Sequence, residues 1–151
     1  MTLFFSETQV KELLDMREVV QAVEEAFRQQ GLGEAVNTMR TRSSADGTVL
    51  NVMHASLPYL GRAGLKCYLS SPHGGKFLVV LFDLRDAKPL AVMGADVLGR
   101  YRTGAASAVA TRHLYHRPSA RLAVFGTGKQ AITQVQAMGA VLAIEEVRVW
   151  S

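Results

Sequence analysis

The segment Gly126-Thr127-Gly128-Lys129-Gln130-Ala131 has the residue types and spacing of a phosphate-binding turn. In a G-x-G-x-x-G/A motif the first glycine makes the tight turn and the second lets the main chain approach a pyrophosphate. The third small residue lets helix and strand pack closely. Gly126, Gly128 and Ala131 fill these three places. The helix that follows would supply first-turn N–H groups and a partial positive charge, both suited to an anion. The motif alone also fits an ordinary glycine turn, so its surroundings decide. Leu122 to Phe125 reads as a buried strand, Ile132 to Leu142 as the continuing helix, and Val147 to Trp150 as a second strand. That is a βαβ unit, and dinucleotide binding is the expected use. The second strand of an NAD site ends on an acid that holds the ribose 2′-hydroxyl. Here the position falls at about Ser151, so the cofactor expected is NADP(H) or NAD(H), leaning to NADP(H).

Four cations could hold a carboxylate. Arg102 lies in Tyr101-Arg102-Thr103-Gly104-Ala105-Ala106-Ser107, where small neighbours allow close packing. An arginine there can grip a carboxylate or phosphate with two parallel hydrogen bonds. Spacing alone would favour a solvated helix arginine. Lys66 interrupts an apolar strand; on an edge it would discourage aggregation, and on an inward face it would bind ligand or move a proton. Arg40 and Arg42 alternate along another strand and so share a face. His113 and His116 lack acidic or cysteine partners and read as a helix-end pair, with no metal site expected. Cys67 beside Lys66 reads as a structural cysteine, and Ser107 has no nucleophile-elbow context.

The rest of the chain must position these residues. Val10, Leu13 and Leu14, then Val19, Val20, Val23, Ala26 and Phe27, predict two helices near 7–14 and 16–30. Asp15-Met16-Arg17-Glu18 has the form of a capping box, and Gly31 suits the C-terminal end. Residues 36–43, 48–54, 65–70, 76–84 and 89–93 are short, apolar or β-branched runs between turn signals, which predicts an antiparallel sheet or part of a barrel. Ala95 to Tyr115 is an alanine-rich helical pattern. Gly104 inside it costs about 1 kcal/mol against alanine, so a close backbone contact is expected there. Pro118 marks the best domain boundary.

Composition limits the alternatives. The 151 residues are 48% hydrophobic and 20% charged, which are values of a folded domain. The formal charge is +4, but the bases are scattered among alanine, glycine and valine rather than clustered with aromatics. A small anionic ligand therefore fits better than nucleic acid. One cysteine cannot form an internal disulfide, the run Phe77–Phe82 is too short to cross a bilayer, and no secretory leader is visible. A cytoplasmic setting is the expectation.

These residues together resemble the ornithine cyclodeaminase/mu-crystallin family. The resemblance is carried by Phe5-Ser6-Glu7, Asp15-Met16-Arg17-Glu18-Val19-Val20, Arg40-Thr41, Val52-Met53 and Gly64-Leu65-Lys66. It continues through Leu81-Phe82-Asp83, Pro89-Leu90-Ala91, Arg102-Thr103-Gly104-Ala105-Ala106-Ser107-Ala108 and the glycine turn. It implies an α+β substrate and dimerisation domain over 1–118, with helices plus an antiparallel sheet forming half of an intersubunit barrel. The start of an α/β Rossmann domain would follow over 119–151. The implied function is an NAD(P)(H)-dependent oxidoreductase or cyclodeaminase acting on a small amino acid or cyclic imine, as a homodimer pairing through the N-terminal sheet. A non-catalytic NADPH- or small-ligand-binding protein, or an inactive dimerising fragment, is the alternative. By resemblance, Arg40 and Lys66 hold the substrate carboxylate, and Arg102 lies between substrate and cofactor with Thr103 on the cofactor side. Gly126, Thr127, Gly128, Lys129, Gln130 and Ser151 would meet the cofactor. The family's catalytic aspartate belongs to a later part of the fold and has no match here, so the chain is expected to be incomplete. The loop after Pro72 is shorter than in typical members.

Overall fold

The computed structural model describes residues 1–151, which group into two compact units. One comprises Met1–Leu13 with Ala26–Val97, the other Leu14–Glu25 with Leu98–Ser151.

The first unit is built on a seven-stranded sheet in the order β1-β7-β6-β5-β4-β2, with β3 also paired to β4. The strands are β1 (Leu3–Phe5), β2 (Val36–Asn37), β3 (Thr41–Ala45), β4 (Thr48–Leu57), β5 (Arg62–Ser71), β6 (Gly74–Asp83) and β7 (Pro89–Gly94). Consecutive strands from β3 to β7 pair antiparallel because short turns join them, as the turn signals predict. The turn between β3 and β4 uses Asp46 and Gly47, both at positive φ, the backbone that a two-residue hairpin with right-handed strand twist requires. Two expectations are corrected. The sheet is mixed, because β1 pairs parallel to β7, with Phe4 opposite Val92. Three residues carry too little alternation to announce a strand. The run 36–43 is also not one strand: β2 and β3 pair separately with β4.

Because side chains alternate, register assigns each residue to a face. One face carries a row of Arg42, Asn51, Tyr68 and Phe77, and beside it a row of Met53, Lys66, Val79 and Met93. The opposite face carries Val52, Cys67 and Leu78, then Leu65, Val80, Val92 and Phe4. On that second face Phe4, Leu50, Leu69 and Leu78 are exposed.

Helix starts in both units are held by side chains. α1 (Glu7–Leu13) opens on a reciprocal box: the Ser6 N–H donates to Gln9 Oε1 at 2.9 Å, and the Gln9 N–H donates to Ser6 Oγ at 3.3 Å. At α2 (Met16–Gly31), Asp15 Oδ1 accepts from the N–H groups of Arg17 and Glu18 at 2.9 and 3.1 Å. The C-terminal glycine of α2 is Gly33 rather than Gly31. Gly33 takes φ +79°, its N–H donates to Gln30 O, and the Glu34 N–H donates to Gln29 O. Those two bonds are the Schellman pattern, and it needs the left-handed residue two positions later than the sequence suggested.

Glu7 makes the longest-range cap. Its carboxylate accepts from the Asp96 N–H at 2.7 Å and the Val97 N–H at 3.2 Å, at the start of α3 (Asp96–Leu114). Gly94 leaves room for it: a Cβ there would stand 2.8 Å from Glu7 Cγ. Glu7→Ala is expected to cost about 1–2 kcal/mol, as loss of a helix cap does, read as a lower urea midpoint at unchanged slope. An unchanged midpoint would mean that the cap contributes nothing.

The second unit packs small residues closely. Val20 of α2, Ala105, Ala108 and Val109 of α3, and Ala137 of α4 (Lys129–Val141) form its buried core. Met16, Val19, Val23 and Met138 pack around it. Gly104 provides the contact expected from its position: a Cβ there would lie 2.4 Å from Thr133 O of α4. Of the apolar stripes read in the sequence, Leu13, Phe27 and Leu114 stay exposed toward the C-terminal ends of their helices. β8 (Ser119–Phe125) and β9 (Ala143–Trp150) pair in parallel on either side of α4, giving the expected βαβ connection. Phe125 is exposed and stacks on Trp150 at 5.5 Å.

Candidate functional site

In the first unit, Lys66 sits on β5, between β4 and β6. It is therefore not an edge-strand lysine. Its cross-strand neighbours are Met53 and Val79. Two residues along, on the same face, Tyr68 pairs with Phe77, and their rings stack at 4.8 Å with 25° between planes. The Lys66 Nζ lies 5.5 Å from the Tyr68 centroid and 5.3 Å from that of Phe77. The Arg40 guanidinium lies 5.9 Å from the Tyr68 centroid. Each such cation–π contact contributes about 0.5–1 kcal/mol when exposed and about 2 when dry. The structure thus brings Arg40 and Lys66 to the same aromatic pair. Two cations sharing a ring repel each other, and an anion between them relieves that repulsion.

Arg42 serves differently. Its Nε donates to Asn51 Oδ1 at 3.2 Å, and the Asn51 Nδ2 donates to Val49 O at 3.1 Å. Asn51 is buried, so its amide holds Arg42 along the row next to Tyr68. Cys67, adjacent to Lys66 in sequence, points to the opposite face, because alternate residues of a strand do. The sequence reading missed Tyr68, Phe77, Asn51 and Met53. Lys66-x-Tyr68 alternation was a usable signal for the first; the others required the register.

In the second unit, β8 leads directly into the glycine turn. Gly126 takes φ +103°, a conformation open mainly to glycine, and its N–H donates to Trp150 O at 2.6 Å. Gly128 is the N-cap of α4 and has no side-chain capping bond. A Cβ at either glycine would meet nothing within 4 Å, so the outside of the turn is open to a ligand. Lys129 and Gln130 open the helix, where first-turn N–H groups have no carbonyl four residues back within the helix. Thr127, Lys129 and Gln130 are exposed. Ser151 follows Trp150, which is the register partner of Phe125, so Ser151 lies at the same end of the two strands as the turn. On α3, Arg102 is exposed, while the Thr103 hydroxyl donates to Gly99 O at 2.7 Å. Near the end of that helix, His113 Nε2 lies 2.9 Å from Glu24 Oε1, and Arg112 pairs with the same carboxylate.

The ornithine cyclodeaminase/mu-crystallin family profile matches residues 1–151. The chain belongs to the ornithine cyclodeaminase/mu-crystallin family. Within that family it is 34% identical to the alanine dehydrogenase of Archaeoglobus fulgidus, over 99% of this chain and 48% of the relative. An archaeal alanine dehydrogenase dimer with bound NAD superposes with a TM-score of 0.91 at 34% identity, over 98% of this chain and 48% of that one. The Thermococcus litoralis Δ1-pyrroline-2-carboxylate reductase, in complex with NADH and L-proline, gives 0.90 at 29% identity, over 98% and 49%. The chain spans about half the length of the family members it matches. No helix is long and apolar enough to cross a membrane.

Proposed function

We propose that this chain supplies the carboxylate-binding and dinucleotide-binding parts of an NAD(P)(H)-dependent oxidoreductase or cyclodeaminase. Its substrate is a small amino acid or the matching cyclic imine. The observation that carries the reading is the convergence of Arg40 and Lys66 on the Tyr68–Phe77 stack, in a chain that also bears an open Gly126–Gly128 turn. In this reading Arg40 and Lys66 bind the carboxylate and orient the α-carbon, while Arg102 and Thr103 act on the cofactor side. Fixing the α-carbon near a hydride donor turns a bimolecular encounter into an oriented one, which is worth several kcal/mol. The nicotinamide supplies the hydride chemistry when bound. Gly126, Thr127, Gly128, Lys129 and Gln130 hold the pyrophosphate through main-chain N–H groups, and Ser151 lies toward the ribose. A hydroxyl at Ser151 suits a 2′-phosphate, which supports NADP(H); the similar structures with NAD or NADH support NAD(H).

The assignment of 119–151 as a Rossmann start rests on β8 beginning at Ser119 and on the βαβ connection. The open apolar sheet face with Phe4, Leu50, Leu69 and Leu78 supports pairing with a second copy.

Calorimetric titration with NADH and NADPH tests the cofactor half. Binding in the micromolar range is expected for at least one, with NADPH the tighter. Absence of binding by both would remove the dinucleotide reading, and an NADH preference of tenfold or more would remove the role given to Ser151.

A further inference from the structure

The cationic cluster proposed to bind the carboxylate sits on a sheet face almost without acids. Arg40, Arg42 and Lys66 lie there with Tyr68, Phe77 and Asn51. Lys66 is flanked in register by Met53 and Val79, both half-buried and apolar. Among the strand residues of this face the one acid is Asp83. It lies four residues from Val79 along β6, about 13 Å at the rise of a strand, and it pairs with Arg62 at 2.9 Å. Its other oxygen accepts from the Arg85 N–H at 2.8 Å. The Glu7 carboxylate is committed to the start of α3.

The geometry points to a substrate with an apolar side chain, a monoamino or cyclic imino acid, over a diamino acid. This rests on the carboxylate clamp proposed above and narrows it. An acid whose carboxylate meets Arg40 and Lys66 would place its side chain among Met53, Val79 and the aromatic pair. There a methyl group or ring gains contact. A terminal ammonium instead meets two cations and no counter-charge from this face, and it must shed water to enter. Discrimination of this kind comes from what the site refuses as much as from what it holds.

L-norvaline and L-ornithine test it, since their side chains differ by the terminal ammonium. Titration of the chain by NMR is expected to show L-norvaline binding at least tenfold tighter than L-ornithine. Met53→Glu, which puts a carboxylate opposite Lys66, is expected to reduce that ratio at least fivefold. His54→Glu adds the same charge on the opposite face and is expected to leave the ratio within twofold. L-ornithine binding as tightly as L-norvaline, with both lost in Arg40→Ala, overturns the preference and leaves the clamp standing. A ratio that moves equally in both glutamate variants also overturns the preference. Binding of neither acid overturns the clamp and the preference with it.

Discussion

Gly104→Ala is expected to destabilise the second unit by about 1–2 kcal/mol, although alanine is the better helix former. By propensity alone the change gains about 1 kcal/mol in a helix interior. The new Cβ would stand 2.4 Å from Thr133 O and 2.9 Å from Thr133 C, closer than a carbon can approach. The obstacle is main chain of α4, which cannot step aside as a flexible side chain could. Either α3 and α4 separate, opening the core of Val20, Ala105, Ala108 and Ala137, or backbone geometry distorts. Overpacking of this sort costs roughly 1–3 kcal/mol, sometimes more, and exceeds the propensity gain. Gly139→Ala, in α4, is the matched control. Its Cβ would meet nothing within 4 Å, so a stabilisation of several tenths to about 1 kcal/mol is expected. Urea unfolding of both variants reads the two effects with opposite signs. Equal midpoints would show that the α3–α4 approach is looser than the structure has it.

Lys66→Met is expected to weaken binding of a small carboxylate by about 100-fold, since removing one charged partner of a desolvated pair costs about 2–5 kcal/mol. Methionine keeps much of the stem, and its sulfur can rest against the same rings, so the loss of the two cation–π contacts is expected to cost no more than about 1–2 kcal/mol of folding stability. Lys76→Met serves as the control. Lys76 lies on β6, on the opposite face, opposite Leu69. It removes the same charge from the chain and is expected to leave affinity within twofold. If Lys66→Met and Lys76→Met weakened binding equally, general electrostatic attraction would explain it and the Arg40–Lys66 clamp would be wrong.

Much of the secondary structure was legible because its causes are local. The 3.6-residue pattern around Val19, Val20 and Val23, the cap at Asp15 and the hairpin turn at Asp46-Gly47 each act within a few residues. The glycine turn was legible for the same reason, since the positive φ that favours a glycine at Gly126 is set within the turn itself. Features that failed were weak locally or were decided elsewhere. β1 is three residues long and exists because β7 offers an edge. The left-handed glycine that terminates α2 is Gly33 and not Gly31 because either glycine could satisfy the local rule.

The sequence by itself determined the family, most of the helices and strands in their order, and the residue types able to hold a carboxylate and a phosphate. Only the tertiary structure decided which of them meet. Cross-strand register puts Met53 and Val79 beside Lys66, stacks Tyr68 on Phe77 and sends Cys67 to the other face. Register is a non-local property, because a slip of one residue would exchange the faces of a whole strand. The approach of α3 to α4 at Gly104 is non-local in the same way, since the atom that demands a glycine belongs to Thr133, in another helix.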